Sequence, residues 1–124
     1  MKKISVRFCT VHRVFQLQFG NGYFLLCSRQ LIPLLVNIYK EETNLFMHAY
    51  VCALNNFNID YSKPTKLDYQ LCFGNLFVRL NRDELLYFLT AFWREFDDLM
   101  MSVIVMSGDE VQQEEQFIQQ KSFQ

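Results

Sequence analysis

With 124 residues, 51% of them apolar and 16% aromatic, the chain has enough apolar material for one packed domain without disulfide or metal staples. A formal net charge of −1 excludes a surface that grips nucleic acid on every side, so nucleic acid is not the expected partner. No apolar run approaches the ~20 residues that a membrane helix needs, and Lys2-Lys3 leads into alternating residues rather than a secretory signal. The expectation is a cytoplasmic protein without a membrane partner, with Cys9, Cys27, Cys52 and Cys72 as thiols.

Ile4-Ser5-Val6-Arg7-Phe8 alternates apolar and polar residues, the pattern of a half-buried strand. Val11 to Phe19 continues in that style, with Phe15, Leu17 and Phe19 on one face and Gln16 and Gln18 on the other. Gly20-Asn21 then supplies a two-residue turn, since both residues tolerate positive φ. Parity pairs Phe19 with Gly22, Leu17 with Phe24 and Phe15 with Leu26, which makes one face of the hairpin apolar apart from Gly22. Ser28 is the expected cap of a following helix with the stripe Leu31, Leu34, Leu35 and Ile38. Pro33 predicts that this helix starts late or bends.

Residues 44–52 fit an extension of that helix or a strand equally well, and Phe57, Ile59 and Tyr61 alternate as a strand ended by Lys63-Pro64. The hairpin stretch then recurs 54 residues on: Phe15-Gln-Leu-Gln-Phe-Gly-Asn21 returns as Tyr69-Gln-Leu-Cys-Phe-Gly-Asn75. The same parity pairs Phe73 with Leu76, Leu71 with Val78 and Tyr69 with Leu80. Asn81 and Glu84 form a capping box before a helix carrying Leu85, Leu89, Phe92, Phe96 and Leu99, expected to run to about Met106. Residues 107–124, rich in Gln and Glu, are expected to be a mobile polar tail.

These elements predict an α+β fold from a duplicated strand-hairpin-helix unit: an antiparallel sheet with two helices on one face, related by a pseudo-two-fold. One domain spans 1–106, with unit one at about 1–50 and unit two at about 51–106. The basic residues Lys2, Lys3, Arg7, Arg13, Arg29 and Lys40 precede the first acid, Glu41, whereas acids dominate from Arg82 onward. The aromatic-Gln-Leu-x-Phe-Gly-Asn hairpin, its cysteine lead-in and its helix, over 9–38 and 63–92, resemble a small bacterial domain-of-unknown-function family with a Cys-x-x-Cys pair before the hairpin. This chain departs from that pair, with Cys9-Thr-Val-His12 in the first copy and Lys63-Pro-Thr-Lys66 in the second; the resemblance implies no activity.

Catalysis finds little support. Asp97-Asp98 and Glu41-Glu42 are adjacent, so on a helix they point about 100° apart and form no facing acid-base pair. No glycine precedes a Lys-Ser/Thr phosphate loop, and nothing singles out an activated thiol. Cys9 and His12 have the spacing of half a zinc site. The outer hairpin faces carry Gln16, Gln18 and Tyr23 in one copy and Gln70, Phe77 and Arg79 in the other, residue types that can stack on and hydrogen-bond to bases or peptides. The expected function is a small soluble interaction or assembly module without catalytic residues or cofactors, whose partner is another protein or itself. Zinc on Cys9 and His12 is the first alternative, and single-strand or peptide binding on the Tyr23/Phe77 face the second.

Overall fold

The computed structural model describes residues 2–63 and 65–108. Pro64 and residues 109–124, which include most of the expected tail, lie outside them. Alternating side chains form strands β1 (Ile4–Cys9), β2 (Val14–Phe19) and β3 (Gly22–Leu26), an antiparallel sheet in the order β1-β2-β3. Helices α1 (Ser28–Glu41) and α2 (Thr43–Leu54) follow. Strands β4 (Tyr69–Phe73) and β5 (Leu76–Leu80) form a separate hairpin, followed by α3 (Arg82–Glu95) and α4 (97–108). The protein is α+β and antiparallel, with two sheets where one continuous sheet was expected, and four helices among the described residues.

Both hairpins adopt the register that parity required, Phe19 opposite Gly22 and Phe73 opposite Leu76. Their turns differ from the expectation in one respect. Gly20 and Gly74 both sit at φ +64°, whereas the non-glycine residues with positive φ are Arg13 and Asn56, so Asn21 and Asn75 keep ordinary backbone. A glycine alone in the first central position is the type II′ requirement, and asparagine has no left-handed conformation to supply.

The bounds of the later elements repeat with the same 54-residue offset as the sequence. β3 maps onto β5, α1 onto α3 and α2 onto α4 end for end. The breaks between paired helices match too, with Glu42 at φ −132°, ψ 56° and Phe96 at φ −136°, ψ 54°. Phe96 therefore divides the long helix expected to reach Met106; its ring turns onto Phe15 at 5.1 Å, and α4 restarts with Asp97 and Asp98 at its positive end. Residues 44–52 are helical, within α2.

The helix starts correspond as well. Asn81 caps α3 by accepting the Glu84 N–H at 2.7 Å, and Glu84 accepts the Asn81 N–H at 2.9 Å. The counterpart of Asn81 is Cys27, not Ser28, and Gln30 accepts the Cys27 N–H at 3.1 Å. α1 starts at Ser28 and carries Pro33 inside it, so of the two expectations, a late start or a bend, the late start does not occur; the proline leaves the Arg29 carbonyl without its usual helical donor.

Residues 57–63 are not a strand. Parity explains the failure. Under the offset, the inward residues Ile4, Val6 and Phe8 of β1 become Asn58, Asp60 and Ser62, while Ile59 and Tyr61 fall on the outward positions of Ser5 and Arg7. A one-residue slip exchanges the two faces of a strand, so this segment cannot bury its apolar side in the place of β1. Asp60 instead accepts the Ser62 N–H at 3.0 Å and its hydroxyl at 2.5 Å, a local turn that competes with strand pairing. Those bonds, the hydroxyl first, hold the Asp60 carboxyl below its ordinary pKa. Tyr61 packs on Tyr87 of α3, with ring centroids 4.4 Å apart.

The core lies between the inner sheet faces and the helices. Leu17, Leu31, Leu35, Phe46, Phe88, Leu89 and Phe92 are completely buried. α3 packs against β1, β5 and α2. The Trp93 indole N–H donates to the Phe46 carbonyl at 3.1 Å, tying α3 to α2. The hairpins meet where Phe24 stacks on Phe73 at 4.4 Å, and Lys2 links the halves by donating to the Arg79 carbonyl at 2.6 Å and lying 3.8 Å from the Glu84 carboxylate.

Candidate functional surfaces

The two sheets divide the six residues of the expected binding face. Gln16, Gln18 and Tyr23 lie on the outside of the three-stranded sheet, and Gln70, Phe77 and Arg79 on the outside of the β4–β5 hairpin. Tyr23 and Phe77 are each more than half exposed, as are their neighbours Leu25 and Leu76.

On the first sheet β1 brings Lys3, Ser5 and Arg7 beside Gln16, Gln18 and Tyr23 around a recess of about 90 Å³. Gln18 is committed to the fold: its carbonyl accepts the Ser5 hydroxyl at 3.1 Å and its amide donates to the Gly20 carbonyl at 3.0 Å. On the second hairpin the Arg79 guanidinium lies over the Phe77 ring, 5.7 Å from its centre. That cation–π contact occupies both residues with each other, at the exposed end of its energy range.

Cys9 ends β1 opposite Val14, and His12 lies exposed in the turn that follows. Among the described residues no three or more His, Cys, Asp or Glu side chains gather into a group that could hold a metal ion. His48 and Cys52, one turn apart on α2, approach to 3.8 Å. The four cysteines are free thiols.

Two further surfaces escaped the sequence reading. One is the outside of α2. Leu45, Phe46, Ala49 and Cys52 fill its inner face, while Met47, Val51 and Leu54 run along the exposed face at i, i+4 and i+7. α4 repeats this stripe with exposed Met101 and Val105, at the positions of Met47 and Val51. The signal was present as a helix apolar all round, but such a run has no 3.6-residue contrast and reads equally as a strand.

The other is a groove of about 380 Å³ between α1 and β4, walled by Pro33, Leu34 and Ile38 on one side and Gln70, Leu71 and Cys72 on the other. Burial, and next to it the Glu42 carboxylate, push the phenol of Tyr69, the neighbour of Gln70 in β4, above its ordinary pKa, with Arg82 acting in the opposite sense and Asp68 adding to Glu42.

Compared with protein-family models, curated proteins and solved structures, the chain matches none. No helix among the described residues is long and apolar enough to cross a membrane.

Proposed function

We propose that the protein is a small interaction or assembly module without catalysis, built on a duplicated unit with a pseudo-two-fold. The recurrence of element bounds at the 54-residue offset supports the duplication. The observation that carries the function is the Met47–Val51–Leu54 stripe, repeated as Met101 and Val105. A helix apolar all round belongs in a core, and one left with its outer face in solvent marks a surface meant to be covered. Methionine suits such a surface because its flexible thioether adapts to the opposing shape.

The test is sedimentation velocity over a range of concentrations. The protein should show a concentration-dependent rise in mass, and the double variant Met47→Glu, Val51→Glu should stay monomeric with an unchanged circular dichroism spectrum. A wild-type protein that remains monomeric throughout would overturn self-association through this stripe.

A second reading rests on Lys3 and Arg7 standing beside Gln16 and Tyr23 on the first sheet. Cations next to an exposed aromatic are the elements of single-strand binding. It predicts a salt-sensitive shift of a single-stranded oligonucleotide that Tyr23→Ala weakens; an oligonucleotide that does not shift at low salt sinks it.

A further inference from the structure

The two halves part company at one edge. In the first, β1 lies along the free side of β2 and packs on α3. The offset carries β2 to β4 and α3 to α1, so the corresponding place is the groove between α1 and β4. Among the described residues β4 pairs with β5 alone.

That edge is chemically specific. In a two-residue hairpin the residues flanking the turn exchange both hydrogen bonds, and every second residue does the same. Phe73, Leu71 and Tyr69 therefore turn their backbone groups to β5, while Gln70 and Cys72 turn theirs outward. Their counterparts Gln16 and Gln18 face Arg7 and Ser5 of β1. This edge, open among the described residues, thus offers two N–H donors and two carbonyl acceptors in the spacing that β1 satisfies in the other half. Beneath it, Leu34 and Ile38 give the groove an apolar floor.

We propose that this groove takes one extended strand from a partner protein, added antiparallel to β4, with apolar side chains at alternating positions and basic residues at its C-terminal end. The proposal rests on the reading of the protein as an interaction module and names the chemistry of one partner. The β1 register gives the orientation: with Ile4 opposite Phe19 and Phe8 opposite Phe15, an added strand would set its first apolar residue opposite Phe73 and its third opposite Tyr69. That C-terminal end meets Glu41 on the groove wall, and Glu42 and Asp68 around Tyr69, where among the described residues three carboxylates outnumber the one nearby cation, Arg82. Strand addition of this kind takes affinity from main-chain bonds and specificity from alternate side-chain pockets.

This chain's own segments suit the groove poorly. At the inward positions of β1, residues 58–63 offer Asn58, Asp60 and Ser62, and the next offset offers Gln112, Glu114 and Gln116. Burying these against Leu34 and Ile38 would desolvate polar groups without partners. A second copy of β4, Tyr-Gln-Leu-Cys-Phe, brings no cation to the acidic end.

The probe is a fluorescein-labelled peptide, Ile-Ser-Val-Arg-Phe-Lys-Lys, titrated against the full chain by fluorescence anisotropy. Saturable binding is expected, weakened about tenfold or more by Cys72→Pro, which removes an outward N–H without touching the β5 pairing. Asn37→Trp, which fills the groove from α1 and leaves β4 intact, should weaken it as well, with circular dichroism showing both variants folded. A peptide ending in Glu-Glu should bind more weakly. Absence of saturable binding, equal binding by both variants, or no preference for the basic end would overturn the proposal. So would a dimer in the absence of peptide that Cys72→Pro dissociates, which would give the edge to a second copy. A large gain in peptide affinity on deleting residues 109–124 would give the groove to the chain itself and overturn it equally. The Met47→Glu, Val51→Glu protein should bind the peptide normally, so failure of the stripe and failure of the groove are told apart.

Discussion

The first half of the molecule completes its sheet with β1, and among the described residues the second half leaves the matching edge of β4 open, although hairpins, caps and helix breaks otherwise correspond. The difference comes from a shift in parity. Residues 57–61 carry apolar side chains at every second position, Phe57, Ile59 and Tyr61, but on the positions that face outward in β1. Alternation shows that a segment can form a strand; its phase relative to the neighbouring strand decides whether that strand has a core to enter.

Substitutions at paired positions break or sharpen the comparison. The largest effect is expected in the core. Phe88 is completely buried against Phe19 and Phe92, whereas its counterpart Leu34 is half-buried at the groove. Phe88→Ala should lower stability by about 3–5 kcal/mol and Leu34→Ala by about 1–2 kcal/mol in urea unfolding; equal losses would mean that the groove is filled. At the turns, Gly74→Val should cost about 1–2 kcal/mol, because an L-residue is forced into the left-handed region, and Asn75→Val less than about 0.5 kcal/mol. The reverse order in thermal unfolding would contradict the type II′ geometry.

The helix starts come next. Asn81→Ala should remove about 1 kcal/mol, while Cys27→Asn should add about 0.5–1 kcal/mol by giving α1 the cap that α3 has. Unfolding midpoints of the two variants check both signs. The smallest effect concerns Asp60, in the segment that forms no strand. Its carboxyl is held below the ordinary 3.8 by Ser62, so the folded state gains from the ionised form above that value and loses the gain as pH falls through the lowered folded value. Asp60→Asn should be slightly less stable than the wild type at neutral pH and indistinguishable from it in strong acid; a difference that persists in acid would point to a role other than charge.

Much of the fold was legible because its signals are local. The Phe19–Gly22 and Phe73–Leu76 registers followed from alternation around Gly-Asn, and the α3 cap from Asn81 and Glu84. What escaped needed information from elsewhere in the chain. Residues 44–52 had no apolar contrast because Met47 and Val51 stand outside a helix whose inner face is equally apolar. Whether the two hairpins join into one sheet depends on edges that no single stretch describes, and they form two sheets instead. The six candidate binding residues kept their outward faces, yet they divided between two sheets, and Gln18 and Arg79 were taken up by contacts within the protein.

The union of β1 with α3 has a consequence for how the chain is made. Phe8 and Phe15 find ring partners in Phe92 and Phe96, and Lys2 reaches Arg79, so β1 waits on residues synthesised well after it. A nascent chain stopped after α2 would hold a three-stranded sheet whose β1 still lacks the α3 surface it packs on. The first 54 residues should therefore fail to fold when expressed alone, and mixing them with a separately made 55–124 fragment should restore structure that neither piece shows by itself.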